Sequence, residues 1–158
     1  MRVGTGYDSH RLVPDRPLII GGVTIPHDLG LKGHSDADVL IHAIIDALMG
    51  ALGLGDIGKH FPDTDPAYKD ADSRTLLRRT LEMLHQNDYE ISWVDSTIIC
   101  ESPKLAPHIP TMLDTLAKDG LIHLNIKAKS NEGMGAIGRG EGIAAMATCT
   151  LRKVNSNG

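Results

Sequence analysis

Aromatic side chains are nearly absent from this chain of 158 residues, where one Phe, one Trp and three Tyr make up 3%. A surface for single-stranded nucleic acid stacks bases on rings and tracks the backbone with cations. Here 16 Lys and Arg face 20 Asp and Glu, a formal net charge of −4, so a nucleic-acid partner is not expected. Cysteine is equally scarce. Cys100 and Cys149 lie in the apolar runs STIIC and ATCTL without the close pairing of a zinc knuckle or redox motif. Both are read as buried reduced thiols suited to a reducing compartment, and a cytoplasmic location is the expectation. Long apolar runs are missing too: the longest, Val39 to Leu54, is broken by His42 and Asp46, and the opening MRVGTGYDSH lacks the apolar centre of a leader. No membrane role is expected. A chain of this length buries about 68–70% of its unfolded surface without staples, so a single domain over 1–158 is the natural reading.

What the sequence has in excess is aspartate. Eight Asp (36, 38, 46, 56, 63, 65, 70 and 72) fall between His34 and Asp72, with only Lys59 and Lys69 as Lys or Arg among them. Some belong to helix caps and loops, where short acidic side chains are favoured; the remainder ask for cations. Along the chain, residues 2–11 alternate as a strand with Val3, Thr5 and Tyr7 on one side, and 17–25 reads as a hairpin turned at Gly21-Gly22. Residues 36–52 are apolar on nearly every face and predict a buried helix capped by Ser35 or Asp36. The leucines at 76, 77, 81 and 84 predict an amphipathic helix over 73–86. A strand at 89–100, a helix at 107–120 and a last pair of strands at 122–130 and 142–154 complete the order, and the tail 155–158 reads as frayed. This order has crossovers but no regular βαβ repeat, which predicts an α+β fold with helices packed on one face of a mixed sheet. Small apolar residues in its strands leave room to bury the other face against further subunits.

Asp8 and His10, one residue apart on a strand, emerge on the same face and form a ready chelate. His42 inside the buried helix has Asp38 and Asp46 one turn away on either side. One oxygen and two nitrogens suit Zn²⁺ with a position left open for substrate; the bland alternative is a core histidine hydrogen-bonded to Asp46. His34, Asp36 and Asp38 crowd the helix entrance, and GDIGKHFPDTDP at 55–66 looks like a shaped loop for diols or divalent cations. The run 131–142 contains G-x-G-x-x-G at 133–138, but no dinucleotide-type helix follows before a β-rich segment, so a Rossmann reading is rejected. Its glycines suit close approach to another chain or a phosphate, with Arg139 and Glu141 as an ion pair or anion contact. No nucleophile elbow or Cys–His pair is present, which leaves metal-assisted chemistry on a polyanion.

Taken together, GYDSHRL, IGGVTIP, HSDADVLIHAIIDALMGALGLGDIGKHFPDTDP, ADSRTLLR, PKLAPHIPTM and GRGEG resemble the 2-C-methyl-D-erythritol 2,4-cyclodiphosphate synthase family of the non-mevalonate isoprenoid pathway, over about residues 1–153. The resemblance implies a lyase that cyclises 4-diphosphocytidyl-2-C-methyl-D-erythritol 2-phosphate and releases CMP. It implies a homotrimer whose sheets face each other and whose active sites lie between subunits. It maps zinc onto Asp8, His10 and His42, and a second divalent cation, Mg²⁺ or Mn²⁺, onto Glu132. His34 and Ser130 become the catalytic candidates. His34, Ser35, Phe61, Asp63 and Asp65 surround the sugar phosphate, Asp56 and Gly58 hold the ribose, and Lys104 in the 100–106 segment lies near the cytosine from the adjoining subunit. Ser130, Lys129 and Arg139 complete the substrate contacts. Lys129 and Asn131 replace the family's usual threonines, Gly133 its frequent Lys and Ala136 its frequent aromatic, so phosphate contacts and any axial cavity should differ. A nucleotide-diphosphate phosphohydrolase and a trimeric metal- or isoprenoid-binding regulator are the rival readings.

Overall fold

The alternation read at the N-terminus becomes a long strand whose two faces have opposite fates. In the computed structural model, which describes residues 1–154, the chain runs β1 (Arg2–Val13), β2 (Leu18–Ile20), β3 (Val23–Ile25), β4 (Gly30–Leu31), α1 (Val39–Leu52), α2 (Ile57–His60), α3 (Ser73–Gln86), β5 (Tyr89–Ile99), α4 (Ile109–Lys118), β6 (Leu124–Lys129), α5 (Gly135–Gly138) and β7 (Gly142–Lys153). The expected frayed tail at 155–158 lies outside the described residues. Five strands form one mixed sheet in the order β4-β1-β7-β5-β6, with only the β5–β6 pair parallel. The architecture is α+β, as expected. The hairpin of β2 and β3 stands apart as a second small sheet, turned at Gly21 (φ 61°) and Gly22 (φ 73°), the left-handed pair that a tight hairpin needs.

On β1, Gly4, Gly6, Asp8 and His10 alternate onto the side covered by α1, which also packs on β7 and against α3. Twelve of the 14 residues of α1 are buried, because it is enclosed between the sheet and α3 and needs apolar side chains nearly all round. Gly53 closes the helix in the left-handed conformation (φ 74°). The opposite side of the sheet carries Val3, Tyr7, Trp93 and Met146, each about half exposed in the single chain (49–59%). Tyr7 and Thr97 both stand in register with Met146, so these side chains line up across the strands. Apolar side chains grouped on an uncovered sheet face are the composition of an interface.

Two expectations are corrected. The long helix begins at Val39, not at 36, and its cap is Asp38, whose carboxylate accepts from the Ile41 amide at 3.1 Å. Ala37 has φ 57°, which turns the chain out of a helical path just before that point. The last two strands do not pair with each other: β6 is an edge strand beside β5, because the α4 crossover returns the chain parallel to β5, while β7 fills the gap between β1 and β5. The glycine run contains the short helix α5. Cys100 and Cys149 are free and buried, and burial pushes both thiols up to about 11, so they stay protonated at neutral pH.

Asp119, at the C-terminus of α4, ties that helix to α3 by accepting from Arg74 Nε and Arg78 Nη1, each at 2.7 Å. Burial would raise its carboxyl, but the two guanidinium groups hold it below the ordinary value of 3.8. A depressed carboxylate contributes stability above its unfolded pKa and loses it as pH falls through the folded one. Asp119→Asn should therefore cost about 1–3 kcal/mol at neutral pH. Denaturant melts of both proteins should converge as pH drops below 3.8; a gap that persists in acid would mean the ion pairs contribute nothing.

Candidate metal centre and substrate cavity

Three side chains from two elements meet over β1. The Nε2 atom of His10 lies 2.7 Å from Asp8 Oδ2, and Nδ1 of His42 lies 3.2 Å from the same oxygen and 3.3 Å from His10 Nε2. The three ligand atoms fall within 4.8 Å of one another. Ligand atoms about 2.0–2.1 Å from a tetrahedral zinc would stand about 3.3 Å apart, so two of the three separations match and the third is shorter. On its far side, His10 Nδ1 donates to the Lys32 carbonyl at 2.9 Å, which turns Nε2 toward the cluster. Gly33 permits this approach, because a Cβ there would lie 3.3 Å from the His10 ring and 2.9 Å from Ala37 Cβ.

The electrostatics favour a cation. Burial by itself would raise the Asp8 carboxyl, but hydrogen bonding to His10 and His42, together with their charges, holds it below its ordinary value. Burial would lower His42, and the hydrogen bond and charge of Asp8, backed by Asp38 and Asp36, hold it above. The core-histidine alternative fails on a specific point: His42 makes no hydrogen bond to Asp46, whose carboxylate instead accepts from the Ile57 amide at 2.8 Å and tethers α2 to α1. Asp38 is equally committed. It is fully buried and accepts from the amides of Gly22 (2.7 Å), Gly21 (2.9 Å) and Ile41, anchoring the hairpin on the helix entrance. Burial and the charge of Asp36 push its carboxyl up to about 6 against those amides.

A cavity of about 280 Å³ opens beside the cluster and is lined by Asp8, His10, His34, Ser35, His42, Gly58, Phe61 and Asp63. His34 is turned by a 3.1 Å hydrogen bond between Nε2 and the Asp65 carbonyl. Asp56 and Asp65 serve locally as caps, accepting from Lys59 N and Ala67 N, and shape the loop with their backbones. The remaining expected residues do not line this cavity within one chain. Ser130, Glu132 and Lys129 sit past the end of β6 or at its last position, and Arg139 pairs with Glu141 at 2.6 Å beside α5. Lys104 lies in the loop after β5.

Glu101 was missed by the sequence reading. Its two oxygens accept from the amides of Asn131 and Gly133, both at 2.8 Å, and so clamp the loop that presents Ser130 and Glu132. Glu132 itself sits at φ 53°, a conformation the clamp helps to impose. Nothing near Glu101 in sequence signals a partner 30 residues away.

The geometry has close counterparts. The YgbB family model matches residues 1–152. A Clostridium perfringens protein named 2-C-methyl-D-erythritol 2,4-cyclodiphosphate synthase is 58% identical over 156 residues, 97% of this chain and 100% of that one. The bifunctional IspDF from Campylobacter jejuni superposes with a TM-score of 0.93 at 38% identity over 98% of this chain, which spans only 42% of that longer protein. IspF of Plasmodium falciparum, solved as a CDP complex, gives 0.85 at 30% identity over 98% of this chain and 97% of its own.

Proposed function

The chain belongs to the YgbB family of 2-C-methyl-D-erythritol 2,4-cyclodiphosphate synthases, and from that premise we propose that it cyclises 4-diphosphocytidyl-2-C-methyl-D-erythritol 2-phosphate to the 2,4-cyclodiphosphate with release of CMP. The observation that carries this reading is the convergence of Asp8, His10 and His42 at the mouth of a cavity lined by His34, Ser35, Phe61 and Asp63. An oxygen of the 2-phosphate bonds to the β-phosphorus of the diphosphate, and the bond from that phosphorus to the CMP oxygen breaks. Repulsion between two phosphate anions, more than weak nucleophilicity, opposes this step. A zinc ion on Asp8, His10 and His42, with a second divalent cation on Glu132, would supply the positive charge that cancels the repulsion. The protein's own share is orientation: His34, pinned by the Asp65 carbonyl, and Ser35 fix one phosphate beside the metal ligands. An attack from within the substrate asks for no nucleophile from the protein.

The whole chain, 1–158, acts in this reading as one synthase domain within a homotrimer, and the buried reduced thiols suit a cytoplasmic setting. Two features support the trimer: the uncovered apolar sheet face, and the placement of Lys104, Lys129, Ser130, Glu132 and Arg139 away from the cavity of their own chain. These residues would complete a neighbour's site. Phosphorus NMR of the incubated substrate tests the reaction: a cyclic diphosphate with CMP is expected, and an acyclic phosphate with CMP would make the protein a phosphohydrolase. Light scattering should give about three times the 17.0 kDa chain mass. Mixing Asp8→Ala chains with Lys104→Ala chains should restore some activity through sites that draw one intact half from each; a fully active monomer would exclude shared sites.

A further inference from the structure

Behind His42, on the side away from Asp8, lies a chain of buried and half-buried polar groups that the proposed reaction does not use. His42 Nε2 is 2.8 Å from the hydroxyl of Ser73, a residue with no exposed surface at the start of α3. That hydroxyl donates in turn to Asp36 Oδ1. Asp36 also accepts from the amides of Ser73 (3.0 Å) and Asp38 (3.1 Å), so all three of its partners are donors and the carboxylate acts only as an acceptor. A serine hydroxyl has one hydrogen. Since it goes to Asp36, the Ser73 oxygen can only accept from His42, which places the imidazole hydrogen on Nε2. Once the imidazole gives up its second hydrogen, the one shared with Asp8, the lone pair is left on Nδ1, the atom that faces Asp8 and His10. The Ser35 hydroxyl also approaches Nε2, but at 3.2 Å and while accepting from the Ala37 amide.

We propose that Ser73 and Asp36 form a carboxylate–hydroxyl relay that fixes the tautomer and ring plane of His42, and so act as positioning residues for the metal centre. The proposal rests on the metal reading of Asp8, His10 and His42. Its backbone support is local and specific. The 34–38 loop is laced to the 70–73 segment by Asp70 N to His34 O (2.8 Å) and Asp36 N to Ala71 O (3.1 Å), which holds Asp36 against the first turn of α3. Ala37, fully buried at φ 57°, separates two carboxylates that point to different tasks: Asp36 to Ser73, Asp38 to the hairpin. Partners behind a ligating histidine typically change metal affinity by about 10–100-fold when removed.

Zinc alone, titrated into metal-free wild type, Ser73→Ala, Asp36→Asn and the double variant, tests the relay. Ser73→Ala should bind zinc about 10–100-fold more weakly, and Asp36→Asn should weaken it in the same direction. The double variant should lose little more than Ser73→Ala, because Asp36 is hydrogen-bonded to the ring only through that hydroxyl and otherwise adds only its charge at a distance; losses that multiply would mean two independent structural effects and overturn the relay. Nitrogen-15 NMR of the metal-free proteins, in alkaline buffer where imidazole is neutral, gives a second readout. Wild-type His42 should carry its hydrogen on Nε2, with mixed tautomers in Ser73→Ala. A wild type protonated on Nδ1, or unchanged zinc affinity in Ser73→Ala, would sink the proposal. A wild type that binds no zinc would sink the metal reading instead, and the tautomer measurement would still decide whether the relay exists.

Discussion

His42→Ala is expected to leave the protein folded but, on the proposed function, unable to retain zinc and strongly slowed in cyclisation. The substitution deletes one of three converging ligand atoms and leaves Asp8 and His10, a two-point chelate from a single strand. Charge neutralisation by a bound metal is worth several kcal/mol in reactions of this kind; at about 1.4 kcal/mol per factor of ten, turnover should fall by roughly 10²–10³-fold or more. Folding should survive, because His42 meets its partners at the cavity edge of α1, while Leu40, Ile41, Ile44 and Ile45 keep the helix in the core. Metal content after dialysis and the phosphorus NMR rate are the measurements. Full zinc occupancy in the variant would show that His42 is a structural histidine and that the centre lies elsewhere.

Gly6→Ala should have the largest effect on stability. A Cβ on Gly6 would stand 1.9 Å from the Ala43 carbonyl oxygen and 2.7 Å from the Ala47 amide nitrogen; Gly4 meets Ala47 and Ala51 in the same way. These are backbone atoms of the helix at the centre of the core, so no side chain can rotate to make room. The helix would have to lift from β1, and since His42 adjoins Ala43, the lift would also separate it from Asp8. Ordinary overpacking costs about 1–3 kcal/mol, but a clash of this depth between backbone elements belongs with the rare losses above about 4 kcal/mol. Failure to accumulate as folded protein, or a correspondingly early denaturant midpoint, is the expected result. Gly50→Ala serves as the contrast: its nearest neighbour would be the Thr5 carbonyl at 3.8 Å, so it should be neutral or stabilising by up to about 1 kcal/mol. If Gly6→Ala were as mild as Gly50→Ala, the close packing of α1 on β1 would be wrong.

The features legible in the sequence are those encoded by near neighbours. The leucines of α3 repeat at helical spacing and its observed limits, Ser73–Gln86, match the reading. Gly21-Gly22 turns its hairpin as expected, and strand alternation alone put Asp8 and His10 on one face. Residue types and spacing offered His42 as a candidate third ligand beside the core-histidine alternative, the family motifs favoured the first, and packing brings its Nδ1 within 3.3 Å of the other two ligand atoms. Short helices such as α2 and α5, four residues each, escaped notice because a single turn has no periodicity to detect and is held by its surroundings.

What only the tertiary structure decided is which of many similar groups meets which. Eight aspartates crowd one stretch of chain, yet Asp38 caps the helix, Asp46 holds α2 and Asp36 faces Ser73 across 37 positions. The clamp of Glu101 on the 131–133 loop and the insertion of β7 between β1 and β5 are likewise long-range choices. Composition and periodicity determine that a chain will make an apolar helix, a half-covered sheet and an acidic loop, because those follow from the burial of each side chain relative to its neighbours. The pairing of a hydroxyl with one carboxylate among eight depends on where packing stops, and here the absence of side chains at Gly4 and Gly6 sets that distance and places His42 over Asp8.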